Sequence, residues 1–326
     1  MLEHGGNLRA ARQRYGHDRW IDLSTGINPW GYPAPPVPAD AWHRLPEPDP
    51  DLAAAACAYY GAPLLLPVAG TQAAIQALPR LRPPSRVTVS APSYAEHAQH
   101  WGRYGHSLRQ APYDGLDEAV EHSDVVVLCN PNNPTGAVVP APQLRDWAAR
   151  LGRRGGWLVV DEAFGDTAPS LSVAGDCAQP GLIVLRSVGK FFGLAGLRLG
   201  FVGAHPRLLV ELADLLGPWA VSGPAQAIAL AALRDGSWQA ATQTRLQAAG
   251  ERMRGLLRAH GIDANGTALF HWWPQARPEA FHEHLASRGI WCRLFTQAAC
   301  GIRLGLPADE DEWQRLARAL EEWSER

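Results

Sequence analysis

Short apolar runs alternate with stretches of helical spacing along most of this chain. Residues 86–89, 124–128, 157–160, 182–185 and 199–202 read as strands, and several of them are apolar without interruption. A strand with one wet face alternates apolar and polar positions, whereas an unbroken run suits a central strand covered by helices on both faces. Residues 52–60, 71–81 and 142–151 space their apolar positions as helices do. Strand alternating with helix predicts an α/β domain on a mostly parallel sheet.

From about residue 234 the texture changes. A long helical run covers 238–260, and strand patterns follow at 268–272, 290–294 and 301–304. An amphipathic helix closes the chain over 309–323. The opening is polar and turn-rich, and residues 29–50 are heavy in proline, the texture of an arm or linker. The expected organisation is therefore an arm over residues 1–30, a large domain over 31–234 and a small α+β domain over 235–326.

Composition narrows the function classes. The chain has 326 residues, 46% hydrophobic and 19% charged, with a formal net charge of −2. Nothing there attracts nucleic acid or an anionic membrane. No apolar run approaches a membrane span, and residues 1–6 lack the basic and apolar regions of a signal peptide. Cys57, Cys129, Cys177, Cys292 and Cys300 form no CxxC pair, so reduced cytoplasmic thiols are the expectation. His97 and His100 could share a helix face; a solvated surface is expected there rather than a metal site, and no metal is expected elsewhere.

The chemistry begins with a single residue. Of 30 lysines and arginines, Lys190 alone is lysine. Arginine replaces lysine in most charge roles, but its guanidinium stays protonated and cannot form an imine with an aldehyde. The surroundings add to the signal. Gly70-Thr71-Gln72 lies at a loop-to-helix junction, where free backbone N–H groups favour a phosphate. Asn130-Pro131-Asn132-Asn133-Pro134-Thr135-Gly136 follows a strand and holds three of the chain's six asparagines. Asp161-Glu162 ends the next strand, where a carboxylate either caps a helix or binds a cation. Ser187, Lys190 and Arg198 follow the one after. These are the ends of strands where open α/β sheets place ligands.

Together these motifs resemble the pyridoxal-phosphate enzymes of the aspartate aminotransferase fold, fold type I, in the branch of the histidinol-phosphate aminotransferases. The resemblance implies pyridoxal 5'-phosphate as cofactor and a homodimer. It assigns Lys190 to hold the cofactor as an imine and to shuttle protons, Asp161 to pair with the ring nitrogen, and Tyr94 to stack on the ring. Asn133 would donate to the ring hydroxyl oxygen, and Gly70, Thr71, Gln72, Ser187 and Arg198 would hold the phosphate. Arg303 matches an arginine that clamps the substrate carboxylate, and Arg293 one that contacts a phosphorylated substrate.

Three positions depart from that pattern. Phe164 stands where a tyrosine is usual, Leu45 where a tyrosine reaches the partner subunit's phosphate, and Gly189 where a phosphate-binding serine is usual. The opening His4-Gly5-Gly6-Asn7, with Ser24-Thr25-Gly26-Ile27-Asn28, resembles the threonine-phosphate decarboxylases of cobalamin biosynthesis. That likeness implies a phosphorylated amino-acid substrate, L-threonine O-3-phosphate, with His4, Asn7, Gly26, Ile27, Asn28, Asn133, Arg293 and Arg303 about it. It implies conversion to (R)-1-amino-2-propanol O-2-phosphate. Histidinol-phosphate or other amino-acid transamination stays open. So does a regulator using the same fold as a ligand-binding domain, although no basic patch supports it.

Overall fold

The computed structural model describes residues 5–297 and 299–324. Thirteen strands occur among them. In chain order they are β1 (Ile21–Asp22), β2 (Leu66–Val68), β3 (Arg86–Ser90), β4 (Ser107–Ala111), β5 (Val125–Cys129), β6 (Trp157–Asp161) and β7 (Leu182–Ser187). There follow β8 (Gly200–Gly203), β9 (Asn265–Thr267), β10 (Phe270–Pro274), β11 (Ile290–Trp291), β12 (Arg293–Phe295) and β13 (Gly301–Leu304). The chain forms two compact units. The larger comprises Gly31–Asn132 and Val138–Ala240; the smaller comprises Met1–Trp30, Asn133–Ala137 and Ala241–Arg326.

The larger unit is built on a seven-stranded sheet of order β2-β8-β7-β6-β5-β3-β4. The steps from β4 through β3, β5 and β6 to β7 are parallel, and β8 is antiparallel to both neighbours. This is the mostly parallel α/β sheet of the aminotransferase-like fold type I. Every residue of β5 is buried, as its unbroken apolar run predicts. One face packs Val87, Val89, Val125, Val127, Val159 and Ile183 against Ile75, Leu78 and Trp101. Burying one such side chain contributes roughly 1.5–3 kcal/mol.

Two elements of this unit differ from the sequence reading. The edge strand β4 reads Ser-Leu-Arg-Gln-Ala and is exposed over its first four residues. The helix expected over 71–81 runs only from Thr71 to Ala77, then tightens into a 3₁₀ turn, Leu78–Leu81, that contains Pro79. Proline lacks the N–H that would continue the α ladder.

In the smaller unit, β12, β13, β10 and β9 form an antiparallel sheet, and β1 pairs in parallel with β11. The single strand expected over 290–294 is broken at Cys292, and its halves join different sheets. The N-terminal stretch carries a helix, Leu8–Tyr15, capped by Asn7, and Trp30 donates through its indole to the Ala308 carbonyl at 2.7 Å. The last helix, Glu310–Ser324, turns Trp313, Leu316, Ala319 and Leu320 inward. That i, i+3, i+6, i+7 spacing is the amphipathic stripe its sequence predicts.

Candidate active site

In the larger unit the singled-out residues lie at the carboxyl ends of the parallel strands. Lys190 is half-buried in the turn after β7, with its Nζ 5.4 Å from the centre of the Phe164 ring. Ser187 ends β7, and its Oγ accepts the Gly189 N–H at 3.1 Å. A Cβ at Gly189 would lie 3.2 Å from the Ala195 Cα and 3.3 Å from that same Oγ. Glycine there is thus matched to the tight approach of residue 195.

A place for a phosphate is built by backbone as much as by side chains. Gly70 caps Thr71–Ala77 with φ 73°, a conformation that glycine adopts without steric cost. A Cβ on Gly70 would lie 2.7 Å from Arg198 Nη2, and one on Gly200 would lie 2.9 Å from the Thr71 nitrogen. Strand register sets Val68, Gly200 and Ser187 in one row across β2, β8 and β7. Arg198 itself holds φ 54°, a left-handed conformation costing about 1–2 kcal/mol for a residue with a Cβ. Its Nη1 donates to the Ala195 carbonyl at 3.0 Å. A guanidinium, a hydroxyl and uncovered backbone N–H groups suit a phosphate ester, so these residues fit that part of pyridoxal phosphate.

Asp161 ends β6 and is buried. Its Oδ1 accepts the Ala163 N–H at 3.0 Å, and its Oδ2 lies 2.9 Å from Nε2 of His97. His97 and His100 are 2% and 4% exposed, so the solvated surface expected for them is wrong. The helix Ala95–Arg103 turns His97, His100 and Trp101 inward together. Burial alone would lower the pKa of His97, but hydrogen bonds to Asp161 and Cys129 outweigh it and raise it to about 10. The imidazolium so held keeps a positive charge against Asp161. His97, Cys129 and Asp161 are also the one His, Cys, Asp or Glu group among the described residues whose ligand atoms gather for a metal, within 4.8 Å. The His97 nitrogen facing Asp161 is occupied by a proton, not offered as a lone pair.

Tyr94 precedes the same helix. Its hydroxyl donates to Gln72 Oε1 at 3.3 Å, and Gln72 Nε2 donates to Glu96 Oε2 at 2.7 Å. Glu96 in turn meets His100 at 3.1 Å. Glu162, beside Asp161, pairs with Arg186 of β7 at 2.7 Å, and Asp166 lies 3.4 Å from the same guanidinium. Sequence reading placed His97 on a solvated surface and missed Glu96 and Arg186. The apolar spacing of Ala98 and Trp101 behind Tyr94 was the available sign that His97 faces inward.

The smaller unit gathers a second set. Arg303 on β13 is buried, and the register places Arg293 of β12 directly opposite it. Arg303 donates from Nη1 to Asn133 Oδ1 and from Nη2 to the Ser24 carbonyl at 2.7 Å. Asn133 therefore has its amide NH2 left as the donating end. Burial lowers the Arg303 pKa to about 9, Arg293 adds to that, and Asp22 opposes it. Gly26 and Asn28 are buried and Ile27 half-buried; Asn28 Oδ1 accepts the Trp30 N–H at 2.9 Å. Asn7 is exposed, and its side chain caps a helix by accepting from Ala10 at 3.3 Å. His4 lies outside the described residues.

The family model for aminotransferase class I and II matches residues 39–320. The chain belongs to this family. It is 53% identical over 323 residues to a threonine-phosphate decarboxylase of Pseudomonas aeruginosa, covering 98% of this chain and 97% of that one. A Sinorhizobium threonine-phosphate decarboxylase is 46% identical over 334 residues, covering 98% and 97%. Among solved structures, histidinol-phosphate aminotransferase from Sinorhizobium meliloti, in complex with pyridoxal-5'-phosphate, matches with a TM-score of 0.85 at 23% identity, covering 99% of this chain and 95% of that one. L-threonine-O-3-phosphate decarboxylase from Porphyromonas gingivalis matches with a TM-score of 0.77 at 20% identity, covering 93% and 99%. At such identities the structures speak to fold alone. Within the family, the Phe at 164 puts no hydroxyl beside Lys190. Leu45, at 64% exposure, is an apolar side chain turned to solvent.

Proposed function

We propose that this protein is a pyridoxal-phosphate-dependent threonine-phosphate decarboxylase. It converts L-threonine O-3-phosphate to (R)-1-amino-2-propanol O-2-phosphate and carbon dioxide, a step of cobalamin biosynthesis. The observation that carries the reading is 53% identity over nearly the whole of both chains to a protein of that activity. The single lysine at the matching strand end supports it.

When bound, the cofactor supplies an electron sink for the pair left on Cα as the carboxylate departs. The chain's residues do the rest. Lys190 holds the cofactor through its Nζ and later returns a proton to Cα. Asp161, fixed by Ala163 and His97, holds the proton on the ring nitrogen. Tyr94, whose hydroxyl is held by Gln72, would stack on the ring. Asn133 donates its NH2 to the ring hydroxyl oxygen, with no tyrosine to assist at position 164. Gly70, Thr71, Gln72, Ser187 and Arg198 hold the cofactor's phosphate.

Arg303 and Arg293 take the two anionic ends of the substrate, because guanidinium forks match both carboxylate and phosphate. His4, Asn7, Gly26, Ile27 and Asn28 complete the substrate's surroundings. By fixing both anionic ends, these contacts would orient the substrate's carboxylate for departure and so favour decarboxylation over proton removal. The protein works as a homodimer in the cytoplasm. Its five free cysteines suit a reducing compartment, and among the described residues no helix is long and apolar enough to cross a membrane.

Gas and product analysis with L-threonine O-3-phosphate tests the reading. Carbon dioxide is expected without any 2-oxo acid. Turnover that needs 2-oxoglutarate and yields glutamate without gas would replace it with transamination.

A further inference from the structure

Cys129 is a buried nucleophile to which the proposed reaction gives no task. It ends β5 at 4% exposure, and the parallel register sets it directly opposite Asp161 of β6. Neighbours in register on parallel strands point their side chains to the same face, so sulfur and carboxylate lie side by side. His97 comes down on this pair from the helix Ala95–Arg103, and a ring nitrogen, the sulfur and a carboxylate oxygen all lie within 4.8 Å of one another.

The bonding of the ring follows by accounting. One nitrogen, Nε2, is taken by Asp161 Oδ2 at 2.9 Å. A protonated imidazole carries a second N–H, which must also find an acceptor when buried. Neither His97 nitrogen is among the buried polar atoms without a partner. Tyr94 meets the ring edge-on, with centroids 6.1 Å apart. The Cys129 sulfur lies within 4.8 Å of a ring nitrogen, and the raised pKa of His97 draws on it as well as on Asp161.

We propose that Cys129 is a positioning residue for the decarboxylation, acting through His97 on Asp161. Its sulfur accepts from the second N–H of His97 and fixes the plane of the imidazole. That plane sets which oxygen of Asp161 is engaged and how firmly His97 keeps its proton. The other titratable groups about the pair are Tyr94, on the cofactor side, and Tyr113, whose hydroxyl donates to the Cys129 carbonyl. Glu96 is turned to Gln72 and His100 instead. The consequence for catalysis rests on the reading that Asp161 faces the cofactor's ring nitrogen; the link from Cys129 to His97 does not.

The test has two arms. In cofactor-free protein, the imidazole of His97 is followed by nitrogen-15 magnetic resonance, its signal assigned by its loss in His97→Asn. Cys129→Ala is expected to lower the pH at which His97 gives up its proton by about one unit, a tenfold weaker hold. Cys129→Ser, which restores an acceptor, is expected to recover most of that shift. In holoenzyme, Cys129→Ala is expected to move the pH midpoint of the cofactor's visible absorbance and to lower kcat about three- to tenfold with KM little changed. Should the alanine variant not fold, Cys129→Val removes the acceptor while filling the space. Unchanged His97 titration in the folded acceptor-free variant would overturn the proposal and leave Cys129 a packing residue. If His97 shifts as expected but the holoenzyme releases no carbon dioxide, the decarboxylase reading fails and the sulfur–imidazole link stands.

Discussion

The two compact units treat buried charge in opposite ways. In the larger, cation meets carboxylate: His97 with Asp161, and Arg186 with both Glu162 and Asp166. In the smaller, the buried Arg303 meets an amide oxygen and a backbone carbonyl, with another arginine opposite. Like charges directly opposite on neighbouring strands destabilise a sheet. The Nε of Arg303, like that of Arg186 in the larger unit, has no hydrogen-bond partner among the described residues. Matched charges hold one geometry and suit a site that must stay fixed around a resident cofactor. A buried arginine that donates to neutral oxygens suits an anion that comes and goes with each turnover.

The comparison breaks first at Lys190. Lys190→Arg keeps the positive charge of the larger unit and removes only the amine that can lose its proton. The variant is expected to fold, to lose the cofactor's visible absorbance and to show no measurable turnover. Borohydride reduction and peptide mapping of the parent protein should place the pyridoxyl group on Lys190. Substantial activity in the variant would mean that the amine chemistry lies elsewhere.

Breaking a matched cluster comes next. Arg186→Met leaves Glu162 and Asp166 buried without their cation. Losing one member of a buried pair costs about 3–5 kcal/mol, so a large drop in the chemical unfolding midpoint is expected. The double variant Arg186→Met, Glu162→Gln should recover part of it. An unfolding midpoint for Arg186→Met equal to the parent's would show that the cluster is not what holds these strand ends.

In the smaller unit the same kind of change acts on function instead. A charged hydrogen bond is worth roughly 1.5–3 kcal/mol, so Arg303→Ala should lower kcat/KM on the order of tenfold to a hundredfold. Cofactor absorbance is expected to be unaffected. Thermal stability should change little or rise, since a like-charge pair across β12 and β13 is removed. A stability loss as large as that of Arg186→Met would put Arg303 with the structural charges.

How far the sequence could be read follows the same division. Apolar runs such as Val125–Cys129 announced the central strands, because a buried strand leaves no room for polar residues. The Lys190, Asp161 and Asn130–Gly136 motifs pointed to the family because their residue types are chemically constrained. The edge strand β4 was not legible, since one solvated side relaxes its composition. Nor was His97, whose meaning comes from Asp161, sixty-four positions away and on another element. Cys292 breaks what reads as one strand over 290–294, because two different sheets recruit its halves. A local pattern cannot say which partner a strand will find.

The smallest expected effect separates the units by pH. His97 has its pKa raised to about 10, so the stability it contributes is fully present below its unfolded value near 6.5 and is lost as pH rises through about 10. His271 on β10 is the reverse case. It is fully buried, neither ring nitrogen has a partner among the described residues, and burial lowers its pKa to about 4, with Arg254 adding to the shift and Glu251 opposing it. Between about pH 6.5 and 4 the unfolded chain binds a proton there that the folded chain does not. Stability therefore falls with falling pH across that window, by on the order of 2–3 kcal/mol at its acid end. His271→Leu removes the titrating ring and keeps the position apolar. It is expected to flatten the acid side of the unfolding midpoint against pH, with little change at pH 7, while leaving the alkaline side to His97. If His271→Leu unfolds with the parent's slope between pH 6.5 and 4, acid sensitivity belongs to other groups, and the contrast drawn from these two histidines does not hold.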